Sequence, residues 1–132
     1  MTRIYLYFNA ALYLLFAIWC TLAAADTAAR IGYVVLSPSG LSEFLVVYGG
    51  MELGFAAFFA WCARRAERAG LLFALCLYAP VVIWRWSSVA AAHGPISSTT
   101  LATGALETTL LLAALALWRR AARADSRQNR SH

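Results

Sequence analysis

Tyr48-Gly49-Gly50-Met51-Glu52-Leu53-Gly54 sets three glycines and a carboxylate in the middle of an apolar run from Phe44 to Ala63. A bilayer crossing takes about 20 apolar residues at about 1.5 Å each, and this run is that long. A glutamate at such a depth costs at least about 2.5 kcal/mol unless it finds a partner, so Glu52 needs a reason to be there. A second glutamate, Glu107, stands in the corresponding place in the run from Leu101 to Trp118. Two more apolar runs, Ile4–Ala25 and Leu71–Ala92, complete a set of four.

The composition agrees with that reading. Of 132 residues 62% are hydrophobic and only 13% charged, where a soluble domain carries about 25% charge. Mean hydropathy is +0.66. The expected fold is all-α, an integral membrane bundle of four transmembrane helices at about 4–25, 43–63, 71–92 and 98–118. These fill one domain, 1–118, and leave no room for a separate soluble one. Residues 119–132 form a basic tail, expected to be polar and disordered beyond Arg120.

Every one of the 11 basic residues is arginine, and the net charge is +5. In a soluble chain that charge would raise nucleic acid as a partner, but the positions argue against it. Arg64, Arg65 and Arg68 lie between the second and third runs. Arg119, Arg120, Arg123, Arg127 and Arg130 follow the fourth, and Arg3 precedes the first. Four crossings from a cytoplasmic N-terminus put all of these on the cytoplasmic side, with only Arg30 in an outer loop. This is the positive-inside pattern, and it predicts a multi-pass protein with both termini cytoplasmic. The expected partner of these arginines is the anionic surface of the lipid bilayer, not nucleic acid.

Within the runs, Cys20, Cys62 and Cys76 read as buried apolar thiols. No CxxC or histidine-rich spacing accompanies them, so no metal and no cofactor is expected. Ala23-Ala24-Ala25-Asp26 has the look of a signal-peptidase site. The preceding run is longer than a signal core, however, and Tyr13, Phe16 and Trp19 suit a retained helix. Tyr5, Asn9, Tyr13, Phe16 and Cys20 share one face of that helix and are expected to point inward. Ile31 to Leu36 is too short to span and is expected at the interface or over the mouth of the bundle. Ser42 is the expected N-cap of the second helix. Gly50 and Gly54 make a GxxxG pair suited to close helix approach. Pro80 is expected to kink the third helix.

Spacing links the two halves. Glu52 and Glu107 each precede an arginine pair, Arg64-Arg65 and Arg119-Arg120, by about 18 Å of helix. Gly49 and Gly104 each lie three residues before their glutamate, which suggests two parallel helical hairpins. Arg85 is the natural counter-charge, about 7 Å outside the glutamate level. Because Cα–Cβ bonds tilt toward a helix's N-terminus, Glu52 and Glu107 lean outward and Arg85 leans inward, so the three are aimed at one another. Tyr48, Tyr78 and Thr103 are the hydroxyls best placed to complete such a cluster. Two carboxylates against one guanidinium would favour protonating one acid, which would make the site proton-sensitive.

From Tyr48-Gly49-Gly50 through Arg85 and His93-Gly94-Pro95 to Glu107, the chain resembles the DUF4345 family of small bacterial four-helix membrane proteins. A looser likeness is to DoxX-type proteins, some of which accompany redox enzymes. His93-Gly94 stands where such proteins often have Asp-Gly, and Leu45-Val46-Val47 replaces an arginine often found before the tyrosine. The resemblance implies a fold and a bacterial inner membrane, but no established activity. Three readings follow for function. The leading one is a non-enzymatic protein whose buried Glu52, Glu107 and Arg85 bind or pass a small ligand or proton. The second is an accessory or structural subunit that packs, through Gly50 and Gly54, on another membrane protein or a second copy. The third is a membrane-embedded acid/base enzyme, the weakest because no nucleophile, metal or cofactor motif accompanies the acids.

Overall fold

The computed structural model describes residues 1–34 and 36–128. Among them every regular element is helical: α1 (Thr2–Leu22), α2 (Ala24–Arg30), α3 (Pro38–Leu45), a π-helical segment (Val46–Met51), α4 (Glu52–Arg65), α5 (Glu67–Ala91) and α6 (Ser98–Gln128). The segments α3, π and α4 follow one another without a break. Four helices, Thr2–Leu22, Pro38–Arg65, Glu67–Ala91 and Ser98–Ala124, are long and apolar enough to cross a membrane. This is a multi-pass membrane protein. Its surface is apolar where a soluble protein's would not be: Leu15 is 66% exposed, Leu22 81%, Ile83 60% and Leu112 60%.

The spans differ at their ends from the sequence reading. The second begins at Pro38, not 43. The Ser37 side chain accepts a bond from the Gly40 N–H at 3.1 Å, and proline occupies the first helical position, where its missing N–H costs nothing. Ser42, the expected cap, is an ordinary residue inside α3. The third span begins at Glu67, one residue past α4. Ala66, at φ −153° and ψ 60°, is the whole break. Arg30, expected in an outer loop, ends a short helix, α2, that begins at Ala24. Helix α5 runs unbroken through Pro80. Helix α6 does not stop at Trp118 but continues to Gln128, so the stretch expected to be disordered is helical that far; the rest of the tail lies outside the described residues.

Contacts divide the chain into two units, Arg3–Ala66 and the portion from Glu67 onward together with Met1–Thr2. In the first unit α1 runs antiparallel to the second span. Tyr7 near the start of α1 accepts a bond from Arg64 Nε at 3.3 Å. Tyr13 in its middle packs on Phe55 and Phe59, at 5.6 and 5.7 Å between ring centroids. Phe16 meets Tyr48 at 6.4 Å. The expected inward stripe of α1 is buried at Tyr5, Asn9 and Cys20. Buried Asn9 donates to its own helix at the Tyr5 carbonyl, 2.8 Å away, which spares the apolar surroundings an unmet donor. Toward the end of α1, Cys20 joins Ala28 and Phe44 in a small apolar core flanked by Phe16, Leu36 and Tyr48. Of the thiols, Cys20 and Cys62 are buried as expected, but Cys76 is exposed.

The second unit is the antiparallel pair α5 and α6. Arg68 near the start of α5 lies over the Trp118 ring, 5.4 Å from its centroid. Ser97 caps α6, its hydroxyl accepting from the Thr100 N–H at 3.1 Å.

Candidate functional site

In the second unit, Arg85 of α5 and Glu107 of α6 form a two-pronged ion pair. Nε donates to one carboxylate oxygen at 2.8 Å and Nη2 to the other at 2.6 Å. The fork-to-fork match fixes orientation and is stronger than a neutral hydrogen bond. The pairing follows from backbone direction, because side chains on antiparallel helices lean toward each other's level. Both residues lie inside spans, where an isolated charge is costly and a matched pair much less so. The side chains are 30% and 14% exposed, so the pair is partly covered, not sealed.

A glycine makes that approach possible. A Cβ on Gly104, one turn before Glu107, would lie 3.2 Å from Arg85 Cγ and 3.2 Å from Trp86 Cζ2. Beside the ion pair, Trp86 Nε1 donates to Thr108 Oγ1 at 3.0 Å, and that hydroxyl donates to the Gly104 carbonyl at 2.7 Å. Two adjacent polar links thus span α5 and α6 at one level. Thr103, expected near the acids, gives its hydroxyl proton to the Thr99 carbonyl of its own helix at 2.9 Å. Tyr78 is buried in α5.

In the first unit the Tyr48–Gly54 stretch is where the helix changes type. Val46–Met51 is π-helical, and Glu52 is the first residue of α4 beyond it. Paired β-branched residues and paired glycines all weaken the ordinary helical ladder, and short π segments are over-represented at functional sites. Gly49 is buried here, and a Cβ on it would come within 2.8 Å of Thr21 Oγ1 in α1. Glu52 is partly buried. The Tyr48 ring packs at 4.7 Å on Phe44 and at 6.4 Å on Phe16, in an aromatic group.

The two units therefore repeat one device. A glycine three residues before a glutamate seats a side chain of the preceding span: Thr21 on Gly49, Arg85 and Trp86 on Gly104. A Cβ on Gly50 or Gly54 would meet nothing within 4 Å, so within this chain it is Gly49 that takes the close approach. The reason is the π segment, whose wider turns shift the residues around the axis from their positions on a regular helix. Gly49 and Gly50 both line an open, mostly apolar groove of about 420 Å³ with Ala17, Ile18, Leu45 and Leu53.

Within each unit, no buried pocket walled by glutamate and arginine occurs among the described residues. Arg85 and Glu107 come together in the second unit, and Glu52 belongs to the first. Sequence reasoning missed Thr108, whose signal was its place one residue after Glu107, matching Trp86 after Arg85. Comparison of the chain with protein-family models, with curated proteins and with solved structures finds no match.

Proposed function

We propose that the chain is a protein of a bacterial inner membrane, with both termini cytoplasmic, that binds or passes a small anionic ligand or a proton at polar positions within its spans. The observation that carries this reading is the Arg85–Glu107 pair, set inside two membrane-spanning helices and still 30% and 14% exposed. A pair serving only to hold helices would gain from full cover. An arginine side chain still 30% exposed offers an anion a place to compete with Glu107 for its planar fork of donors. Glu52, Tyr48, Tyr78 and Thr103 are proposed as further positions along the ligand's way, and the resemblance to DUF4345 proteins is proposed for the fold.

The test is native mass spectrometry of the gently solubilised chain beside its Glu107→Gln variant, which keeps the side chain's shape and a hydrogen bond to Arg85. A bound small molecule or anion whose occupancy changes in the variant is the expected result. An empty wild type, with no proton uptake on adding simple carboxylates or phosphate, would sink the reading.

A second reading has its own observation. Gly50 and Gly54 both have open space where a Cβ would stand, and Gly50 borders the apolar groove, which would let a partner's transmembrane helix approach closely. In that case the chain is an accessory subunit of a larger membrane complex. Gly50→Leu should then release a co-purifying partner and leave this chain's own thermal stability unchanged. Retention of the partner would count against it.

A further inference from the structure

The connection between α2 and the π segment builds a cavity of about 360 Å³ that Arg85 and Glu107 do not line. Three aromatic residues, Tyr33, Phe44 and Tyr48, contribute to its wall, together with the carboxylate-bearing Glu43. Among the described residues no arginine lines it.

Each wall is held by an identifiable device. Helix α2 ends in a Schellman turn: Gly32, at φ 104°, bonds its N–H to the Ala29 carbonyl at 3.2 Å, and the Tyr33 N–H reaches back to the Ala28 carbonyl at 3.0 Å. That pins the backbone of Tyr33, whose ring stands edge-on to Phe44 at 6.0 Å and 86°. Phe44 is anchored in the Cys20–Ala28 core, and Tyr48 leans on it from the π segment at 4.7 Å. The Ser37 cap fixes the start of α3 and thereby the place of Glu43 two turns on. The aromatic wall is formed before any ligand arrives.

We propose that this cavity binds a small organic cation, an alkylammonium or quaternary ammonium group. Aromatic faces attract such cations, and a carboxylate nearby adds a full charge without stripping a hard metal ion of its water. The volume is that of a small-ligand site. The start of α3 carries the opposing half-charge of a helix N-terminus, but Ser37 already occupies the Gly40 N–H and Glu43 outweighs the remainder. Two sources share this chemistry: a free amine, or the ammonium headgroup of a lipid.

The proposal concerns a different site from the ion pair, so either can fail alone. The test is calorimetric titration of the full chain in detergent with tetramethylammonium chloride, with sodium chloride as the control. Saturable binding of tetramethylammonium and none of sodium is expected. Tyr33→Leu and Glu43→Gln should each weaken it by about three- to tenfold. Both positions are exposed, Tyr33 at 46%, so neither change threatens the core. Repeating the titration in nanodiscs separates the sources. Binding lost in ethanolamine-lipid discs but kept in phosphatidylglycerol discs identifies a headgroup site, and equal binding in both identifies a free cation. Absence of saturable binding to the wild type in detergent, or unchanged affinity in both variants, would overturn the proposal.

Discussion

Gly49 and Gly50 are neighbours with opposite duties. Gly49 is buried against Thr21, and adding one methyl group there brings carbon within 2.8 Å of an oxygen. Gly50 faces open space. Gly49→Ala is therefore expected to cost about 1–3 kcal/mol, the usual range for forcing an extra methyl into a packed contact. Thr21→Ala in the same chain should restore most of that loss, since it removes the oxygen in the way. Gly50→Ala should be neutral or slightly stabilising, because alanine is the better helix former where nothing crowds it. Thermal unfolding of the two single variants and the double mutant in one detergent checks all of this. Equal losses at 49 and 50 would mean that the close approach to Thr21 does not govern this contact. The sequence shows both glycines plainly, but spacing favours the four-residue pair Gly50 and Gly54. Only the local helix type says which glycine turns toward α1. Arg85 and Glu107 were more legible, because their meeting follows from helix direction and the tilt of Cα–Cβ bonds, both readable without coordinates.

At the scale of elements, the π segment decides how the second span is used. A π segment is a regular helix with an extra residue taken up in one turn. Deleting Val46 should let the segment relax to α-helix and turn Pro38–Leu45 by about 100° relative to α4, one residue's rotation. Phe44 would then leave the small core with Cys20 and Ala28. The expected loss is about 3 kcal/mol, as for removing a buried phenylalanine, with far-UV circular dichroism unchanged because helix content is kept. Undiminished stability in the deletion variant would show that the extra residue is merely tolerated. Four apolar runs gave the four spans because length and hydropathy are enough for that. Their ends were harder. Ser37-Pro38 and Ser42-Glu43 are both reasonable helix starts, and which one begins the helix depends on whether the intervening residues have something to pack on. The π segment leaves no periodic signal of its own in six residues.

For the molecule as a whole, the arginines carry the prediction. Arg3, the group Arg64, Arg65 and Arg68, and the run that begins at Arg119 should all share the cytoplasmic side. A green fluorescent protein joined to the C-terminus should fluoresce, and an alkaline phosphatase in the same place should stay inactive. Between Gly94 and Ser97, the loop joining α5 and α6, the outcomes should reverse. An active C-terminal phosphatase would refute the orientation. The π segment also has a meaning at this scale. It acts as a gear offset within a single rod: below it Phe55 and Phe59 address Tyr13, and above it Phe44 addresses Tyr33 and Ala28. One helix thereby serves two neighbours that a rod of constant pitch would meet at another angle. Length between Val46 and Met51 and residue type at 33 and 44 should consequently evolve together, so that a relative lacking the offset would carry a different set of rings around its mouth.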